Sequence, residues 1–127
     1  MTTTVPDLMG QAITFRKIMD QPIGNFSPSG MKTQLRLIIE EYDEFVEAYG
    51  EATSYIQNKR ARINLLKELA DLVYVSFQFA AAAGWPLDEA LDRVNQSNLS
   101  KLVDGKPLKR EDGKVLKGPN YEPPYLE

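Results

Sequence analysis

Residues 65–83 read LLKELADLVYVSFQFAAAA and combine a wide apolar surface with two acidic residues, Glu68 and Asp71. Gly84 follows this stretch as a helix stop, so the pattern predicts a helix from about Asn58 to Ala83. At about 100° per residue, the apolar positions cover more than half of the circumference, which is wider than packing on one side of a small bundle requires. We therefore expect the helix to be covered on two sides, the second by another subunit.

Three further helices are predicted from apolar residues spaced three or four apart. They span residues 5–20, residues 31–49 with Gly50 as a stop, and residues 86–98. A loop rich in glycine and proline, residues 21–30, separates the first two helices. The predicted fold class is therefore all-α, a bundle of about four helices with its core completed by oligomerisation.

Helical periodicity stops after residue 98, and residues 101–127 are predicted to form an irregular tail or a short hairpin. Asp112 and Gly113 lie between two short segments that a type I′ turn would join. Residues 101–117 carry six lysines and arginines against three acids, a local charge of +3. Because the whole chain carries −3, the remaining residues carry −6, and the tail is the basic part of the chain.

The composition excludes several kinds of site. The 127 residues include no cysteine and no histidine. Disulfides, zinc sites built from Cys or His, cysteine nucleophiles and Ser-His-Asp triads are therefore ruled out. Any bound metal must take oxygen ligands, which Mg²⁺ and Mn²⁺ prefer.

The length of 127 residues and the apolar fraction of 43% indicate a single domain, residues 1–127. Since no signal peptide and no membrane-spanning run are seen in the sequence, we expect a soluble protein in the cytoplasm. A net charge of −3 gives no electrostatic reason to bind a nucleic-acid polymer. The sequence has no run of 18 apolar residues and no start typical of a signal peptide, so we expect no membrane association.

Glu41 and Glu44 on the second predicted helix, and Glu68 and Asp71 on the third, repeat one pattern. In each helix the two acids are three residues apart and lie on the flank of the apolar stripe, where charge is costly unless it is neutralised. Solvated acids on exposed faces are the simpler interpretation. Four carboxylates on facing helices, however, outnumber the nearby bases, and a Mg²⁺ or Mn²⁺ site explains the arrangement better.

The motif Glu40-Glu41-Tyr42-Asp43-Glu44, followed after 23 residues by Glu68-Leu69-Ala70-Asp71, resembles the E-E-x-x-E and E-x-x-D motif of the MazG-like, all-α nucleoside triphosphate pyrophosphohydrolases. Three tail segments, residues 97–101, 104–107 and 112–121, are similar to the small single-domain branch common in phages and bacteria. The resemblance implies metal-dependent hydrolysis of a (deoxy)nucleoside triphosphate between its α- and β-phosphates, a role in nucleotide-pool control, and a purine substrate such as dGTP. If a phage encodes the chain, the location is the host cytoplasm.

The resemblance also implies roles for single residues. Two or more Mg²⁺ or Mn²⁺ ions would be held by Glu41, Glu44, Glu68 and Asp71, and Glu40 would orient or deprotonate the attacking water. The basic tail would close over the substrate phosphates, although a solvated tail is the alternative. The implied phosphate contacts are Asn98, Lys101, Lys114, Lys117 and Tyr121.

A base pocket is predicted from the first helix and the loop that follows it. Gln21, Asn25 and Phe26 would read the edge of the base and stack on its face, unless the loop is a simple connector. Two other functions stay open: a non-catalytic helical interaction module with an acidic face, and a metal-binding regulator that leaves triphosphates intact. The expected partners are a nucleoside triphosphate and further copies of the chain, as a dimer or tetramer.

Overall fold

The computed structural model describes residues 5–127, and within these residues it contains four helices and one two-stranded sheet. The elements are α1 (Leu8–Ile18), α2 (Pro28–Ser54), α3 (Lys59–Ala83), α4 (Leu87–Leu99), β1 (Leu108–Lys109) and β2 (Val115–Leu116). They form two compact units, of which one ends at Pro86 and the other is Leu87–Glu127. The predicted all-α class is confirmed. No helix in the described range has the length and apolar character needed to cross a bilayer.

The first unit is organised by α2 and α3, two long helices joined by residues 55–58 and packed antiparallel against each other. Small side chains fill much of its core, and each is at most 9% exposed. Because alanine has a short side chain, helix axes can approach closely wherever alanines meet. The buried alanines on these two helices are Ala48, Ala52, Ala61, Ala80, Ala81 and Ala82.

α3 begins and ends where the sequence predicts. The side chain of Asn58 accepts a hydrogen bond from the backbone N–H of Ala61 at 3.2 Å, which caps the first turn. Gly84 ends the helix with φ of 84°, a left-handed conformation that glycine adopts at low cost, and its N–H donates to Ala80 O at 2.8 Å.

The loop after α1 is held against the carboxyl end of α3. The backbone N–H groups of Gly24 and Asn25 donate to the carbonyls of Ala81 and Ala82 at 3.0 and 2.7 Å. A Cβ on Gly84 would lie only 3.0 Å from Gly24 Cα, so the two glycines allow this close approach. The loop therefore satisfies carbonyls that the end of a helix leaves without partners.

The predicted boundaries of α1 and α2 need correction. α1 spans Leu8–Ile18 rather than residues 5–20, because the Asp7 carboxylate accepts from Gly10 N at 2.9 Å and caps the helix there. α2 starts at Pro28, inside the segment predicted as loop, because Ser27 caps it. Gly50 is not a stop: α2 continues to Ser54, and burial of the alanines on either side of Gly50 offsets its helix cost of about 1 kcal/mol.

The second unit contains α4 and the predicted hairpin, whose strands pair antiparallel with Leu108 opposite Leu116. The predicted type I′ turn is wrong, because that turn needs positive φ at both central residues. The N–H of Gly113 donates to Arg110 O at 2.9 Å, and the two central residues of this turn, Glu111 and Asp112, both have negative φ. Gly113 itself has φ of 88°, so the connection is a type I turn followed by a left-handed glycine.

Large apolar side chains on α2 and α3 remain exposed in the single chain. On α2 five of them recur with heptad spacing, and each is at least 47% exposed. On α3, Leu66 is 66% exposed in the first third of the helix. The chain alone thus covers only part of the wide apolar surface that its sequence predicts. The five α2 residues are Leu35, Ile39, Tyr42, Val46 and Tyr49.

We predict that the protein is a dimer or tetramer, because a second copy would remove this apolar surface from water. Light scattering at micromolar concentration should give at least twice the chain mass of 14.3 kDa. Leu66→Glu should shift the assembly toward the monomer, whereas Asn64→Glu, at an exposed polar position of the same helix, should leave the mass unchanged. A wild-type mass near that of one chain would contradict the prediction.

Candidate metal centre

Four carboxylates from α2 and α3 converge in the first unit. One oxygen from each of Glu41, Glu44, Glu68 and Asp71 lies within 4.8 Å of the other three. The spacing of three residues places each pair on one side of its helix, and the antiparallel packing turns the two pairs toward each other. The structure thus brings together the four acids that the sequence pattern singles out, and we call them the acid cluster. Their role as metal ligands stays a prediction.

Two oxygens of the acid cluster are buried without a partner. Glu68 is 9% exposed, and neither its Oε2 nor the Oε2 of Glu41 has a hydrogen-bond partner among the described residues. Burial raises the pKa of Glu41, and a hydrogen bond with Glu44 and the negative charges of Glu44, Asp71 and Glu68 raise it further. The cluster therefore repels itself in the absence of a counter-charge.

Lys67 provides only part of that counter-charge. Its Nζ lies 2.7 Å from Asp71 Oδ2 and 3.5 Å from Glu68 Oε1, and the Asp71 contact is the main reason that the pKa of Lys67 is raised. Arg62 makes no ion pair in the part of the chain that the structure describes. One exposed lysine cannot balance four carboxylates, so the acid cluster keeps an excess of negative charge.

The acid cluster fits a hard divalent cation. Oxygens on opposite sides of Mg²⁺ lie about 4.2 Å apart, twice the usual Mg–O distance, so the observed spread of 4.8 Å needs a contraction of only about half an ångström. The buried Oε2 atoms of Glu41 and Glu68 offer lone pairs that no group in the described range, residues 5–127, uses. The donor set consists of carboxylates, which Mg²⁺ and Mn²⁺ prefer.

The other predicted catalytic and phosphate-contacting residues lie outside the acid cluster. Glu40 is exposed on α2, next to Glu41 in sequence. In the second unit, Lys117 Nζ lies 4.7 Å from the centre of the Tyr121 ring, a cation–π contact that orders two of the predicted phosphate-binding side chains. The catalytic and phosphate-binding roles stay predictions. The phosphate-contacting set, all within or after α4, is Asn98, Lys101, Lys114, Lys117 and Tyr121.

A cavity of about 320 Å³ lies in the first unit, between α1, the loop that follows it and the start of α2. Gln21 and Asn25, both predicted to contact a base, line it. Phe26 does not line it: its ring packs against Trp85, with ring centroids 5.3 Å apart, and Phe26 is 60% exposed. The cavity is therefore polar on the side formed by the loop.

Three buried polar residues near this cavity were missed by the sequence reasoning: Arg16, Gln34 and Gln78, at 3%, 6% and 4% exposure. Gln34 precedes Glu41 by seven residues, and Gln78 follows Asp71 by seven. Seven residues are about two helical turns, so each glutamine lies on the same face as an acid. The separation of seven residues between a glutamine and an acid, found on both helices, is the sequence pattern from which these two glutamines could have been predicted. We call Gln34 and Gln78 the amide layer.

Hydrogen bonds fix Arg16 between the loop and α3. Its Nε donates to Pro22 O at 2.6 Å, and its Nη1 donates to Gln78 Oε1 at 3.2 Å. Burial lowers the pKa of Arg16, but its guanidinium stays charged near neutral pH because the ordinary pKa of an arginine lies far above neutrality. The cavity wall therefore contains a fixed positive charge.

Residues 12–98 match the family described as phosphoribosyl-ATP pyrophosphohydrolase. The matched segment contains all of the acid cluster and the amide layer, and it ends before the hairpin. No curated protein matches the chain.

The acid cluster predicts an unusual effect of substitution in metal-free protein. In EDTA at pH 7, Glu41→Gln should raise Tm, because it removes one of four mutually repelling charges. Since the folded-state pKa of Glu41 is raised, its destabilising effect is present above that pKa and disappears below the unfolded value of about 4.3. The gain in Tm should therefore shrink as the pH falls from 7 toward 4.

Differential scanning fluorimetry across this pH range measures the effect. Glu51→Gln, which removes a charge from an exposed position on the same helix, is the matched control and should change Tm little. A lower Tm for Glu41→Gln at pH 7 in EDTA would show that the carboxylate stabilises the metal-free fold.

Proposed function

Because the chain belongs to the phosphoribosyl-ATP pyrophosphohydrolase family, within the MazG-like all-α nucleoside triphosphate pyrophosphohydrolase superfamily, we propose that it hydrolyses a (deoxy)nucleoside triphosphate between the α- and β-phosphates. The products are a nucleoside monophosphate and pyrophosphate, and the role is control of a nucleotide pool. The observation that carries the proposal is the acid cluster, with four carboxylates within 4.8 Å and, among residues 5–127, only Lys67 paired to them. Such a site suits the divalent cations that accompany polyphosphates.

Glu41, Glu44, Glu68 and Asp71 would hold two or more Mg²⁺ or Mn²⁺ ions. When bound, these ions would neutralise the negative charge of the polyphosphate and stabilise the charge that develops on the departing pyrophosphate. The chain has no histidine to act as a base. We assign that task to Glu40, which accepts the proton of the attacking water as the phosphorus–oxygen bond to pyrophosphate breaks.

The basic tail supplies the cations for the phosphates. Residues 101–117 carry a net charge of +3, and charge-assisted contacts to phosphate oxygens are strong. We propose that Asn98, Lys101, Lys114, Lys117 and Tyr121 contact the triphosphate, and that residues 1–127 act as one catalytic domain. The tail segments that resemble the small single-domain branch are the basis for assigning the chain to that branch, and we propose that it acts in the cytoplasm.

Two substrate classes compete for this site. A purine deoxynucleoside triphosphate such as dGTP is our first choice, because the tail resembles the single-domain branch that acts on nucleotides. Phosphoribosyl-ATP is the second candidate, because the family that matches residues 12–98 is described by that substrate. Gln21, Asn25 and Phe26 are proposed to contact the base in either case, and the first two line the cavity.

The first test is product analysis. The protein is incubated with each common ribo- and deoxyribonucleoside triphosphate, and with phosphoribosyl-ATP, in Mg²⁺ or Mn²⁺, and the products are separated by ion-pair chromatography. We expect a monophosphate and pyrophosphate from at least one triphosphate. Diphosphate and orthophosphate would instead indicate cleavage at the γ-phosphate. Absence of turnover would favour the metal-binding regulator if Mn²⁺ still binds, and the interaction module if it does not.

The second test separates the metal ligands from the base. Glu40→Gln should leave Mn²⁺ binding intact and lower kcat roughly 100-fold or more, the range for loss of a general base. Glu68→Gln should weaken Mn²⁺ binding and abolish turnover together, because it removes a buried carboxylate of the acid cluster. Asp43→Asn, an exposed acid on the same helix, is the control and should change neither quantity.

Calorimetric titration with Mn²⁺ and steady-state kinetics give the two measurements. If Glu40→Gln loses Mn²⁺ as strongly as Glu68→Gln, then Glu40 is a ligand and another group must take the proton. Full activity in Glu68→Gln would place the reaction outside the acid cluster.

A further inference from the structure

The cavity in the first unit contains a buried positive charge that no acid balances. Arg16 is 3% exposed, it is the one charged residue that lines the cavity, and none of the ion pairs among residues 5–127 involves it. Residues 1–4 contain no acid either. Buried arginine is usually paired with an acid, because removing a charge from water is costly unless it is compensated. The fold therefore holds a guanidinium whose counter-charge has to come from a ligand.

One nitrogen of this guanidinium is both unpaired and accessible. Nε and Nη1 of Arg16 donate to Pro22 O and Gln78 Oε1, whereas Nη2 donates to no group among residues 5–127. In that range, every unpaired side-chain atom that lacks accessible surface is an oxygen, so Nη2 is not sealed inside the protein. Because Arg16 lines the cavity, its free donors meet the molecule that occupies this space.

The start of α2 adds further donors to the same cavity wall. Ser27 and Ser29 line the cavity where the first N–H groups of a helix lack intrahelical partners and the helix dipole is positive. Ser27 Oγ accepts from Gly30 N at 3.1 Å, which leaves its hydroxyl hydrogen free to donate. Arg16 and the start of α2 thus present positive potential and hydrogen-bond donors to one space.

We propose that the buried end of this cavity, at Arg16, binds one oxyanion group, a phosphate or a carboxylate. The guanidinium donates charge-assisted hydrogen bonds to its oxygens, and a hydroxyl or backbone N–H at the start of α2 donates to another oxygen. One guanidinium suits a group with one or two negative charges. The volume of about 320 Å³ holds such a group together with part of the molecule that carries it.

This anion site is separate from the acid cluster and from the basic tail. None of the four acids lines the cavity, and the tail belongs to the second unit. Gln21 and Asn25 also line the cavity, but both are exposed, so they stay available to a base while the anion lies at the buried Arg16. The inference therefore goes beyond the proposed function and does not require hydrolysis.

The test is a proton–nitrogen NMR titration of metal-free protein near neutral pH. Sodium phosphate or sodium acetate replaces sodium chloride at constant ionic strength, and a chelating resin removes metal, because EDTA itself carries carboxylates. We expect at least one of the two anions to cause saturable shifts of Arg16 Nε–H and of the backbone N–H groups of Ser29 and Gly30. The proposal is wrong if neither anion shifts Arg16 Nε–H, or if the shifts are confined to residues 101–117.

Two further ligands separate a free anion from the phosphate of a nucleotide. dAMP and deoxyadenosine share a base and a sugar, and only dAMP carries a phosphate. Arg16 shifts with inorganic phosphate and dAMP, but not with deoxyadenosine, would support the site with a nucleotide as one source of its anion. Shifts with phosphate or acetate but not with dAMP would support a free anion. Equal shifts with dAMP and deoxyadenosine, and none with either simple anion, would show that the cavity binds a base instead.

Ser29→Asp tests the site with a counter-charge supplied by the protein. Its carboxylate would lie in the cavity wall and repel an anion, so phosphate, or acetate if only acetate binds, should bind roughly tenfold more weakly or worse. Ser29→Asn has nearly the same shape without the charge, and it should keep the affinity of the wild type. Asp and Asn are both favoured at the start of helices, so both variants should fold. Equal anion affinities in the two variants would contradict the proposal.

Discussion

The contact between α2 and α3 is the constraint on which the rest of the first unit depends. Alanines on these helices are buried, and the closeness that they permit brings pairs of acids from two helices within 4.8 Å. The same packing places the amide layer two helical turns from the acid cluster. The last carbonyls of α3 accept hydrogen bonds from the loop after α1, which forms part of the cavity wall. The positions of the acid cluster and of this loop therefore both depend on one helix pair.

This arrangement places opposing demands on stability. The helix pair gains free energy from burying apolar surface, yet it also forces four carboxylates into mutual repulsion. In the described part of the chain, Lys67 is the one base paired with them. The buried core consists mainly of alanines, so apolar burial in the isolated chain leaves little free energy to offset this repulsion. A divalent cation on the acid cluster and a second copy on the exposed heptad stripe of α2 would each supply stabilisation that the isolated chain lacks.

Much of this was predictable because it depends on local spacing. Helix periodicity and a glycine at residue 84 place α3 accurately, and acids three residues apart predict the acid cluster. Gly50 was wrongly predicted to end α2, because the burial that carries α2 past it is a tertiary effect. Arg16 was missed because a buried cation satisfied by Pro22 O and Gln78 Oε1 leaves no local pattern. The turn at Gly113 was misassigned because dipeptide chemistry does not fix the φ of the preceding residue.

The two-turn separation between the amide layer and the acid cluster has an evolutionary meaning. Gln34 and Gln78 can be exchanged for other side chains without displacing a carboxylate, since each lies about 10 Å along its helix from the nearest acid on its face. Selection can therefore act on the glutamines and on the carboxylates independently, with substitutions in one layer leaving the other in register. A duplicated gene for this helix pair would need few substitutions, confined to one end of the pair, to change the amide layer while it retained the acid cluster.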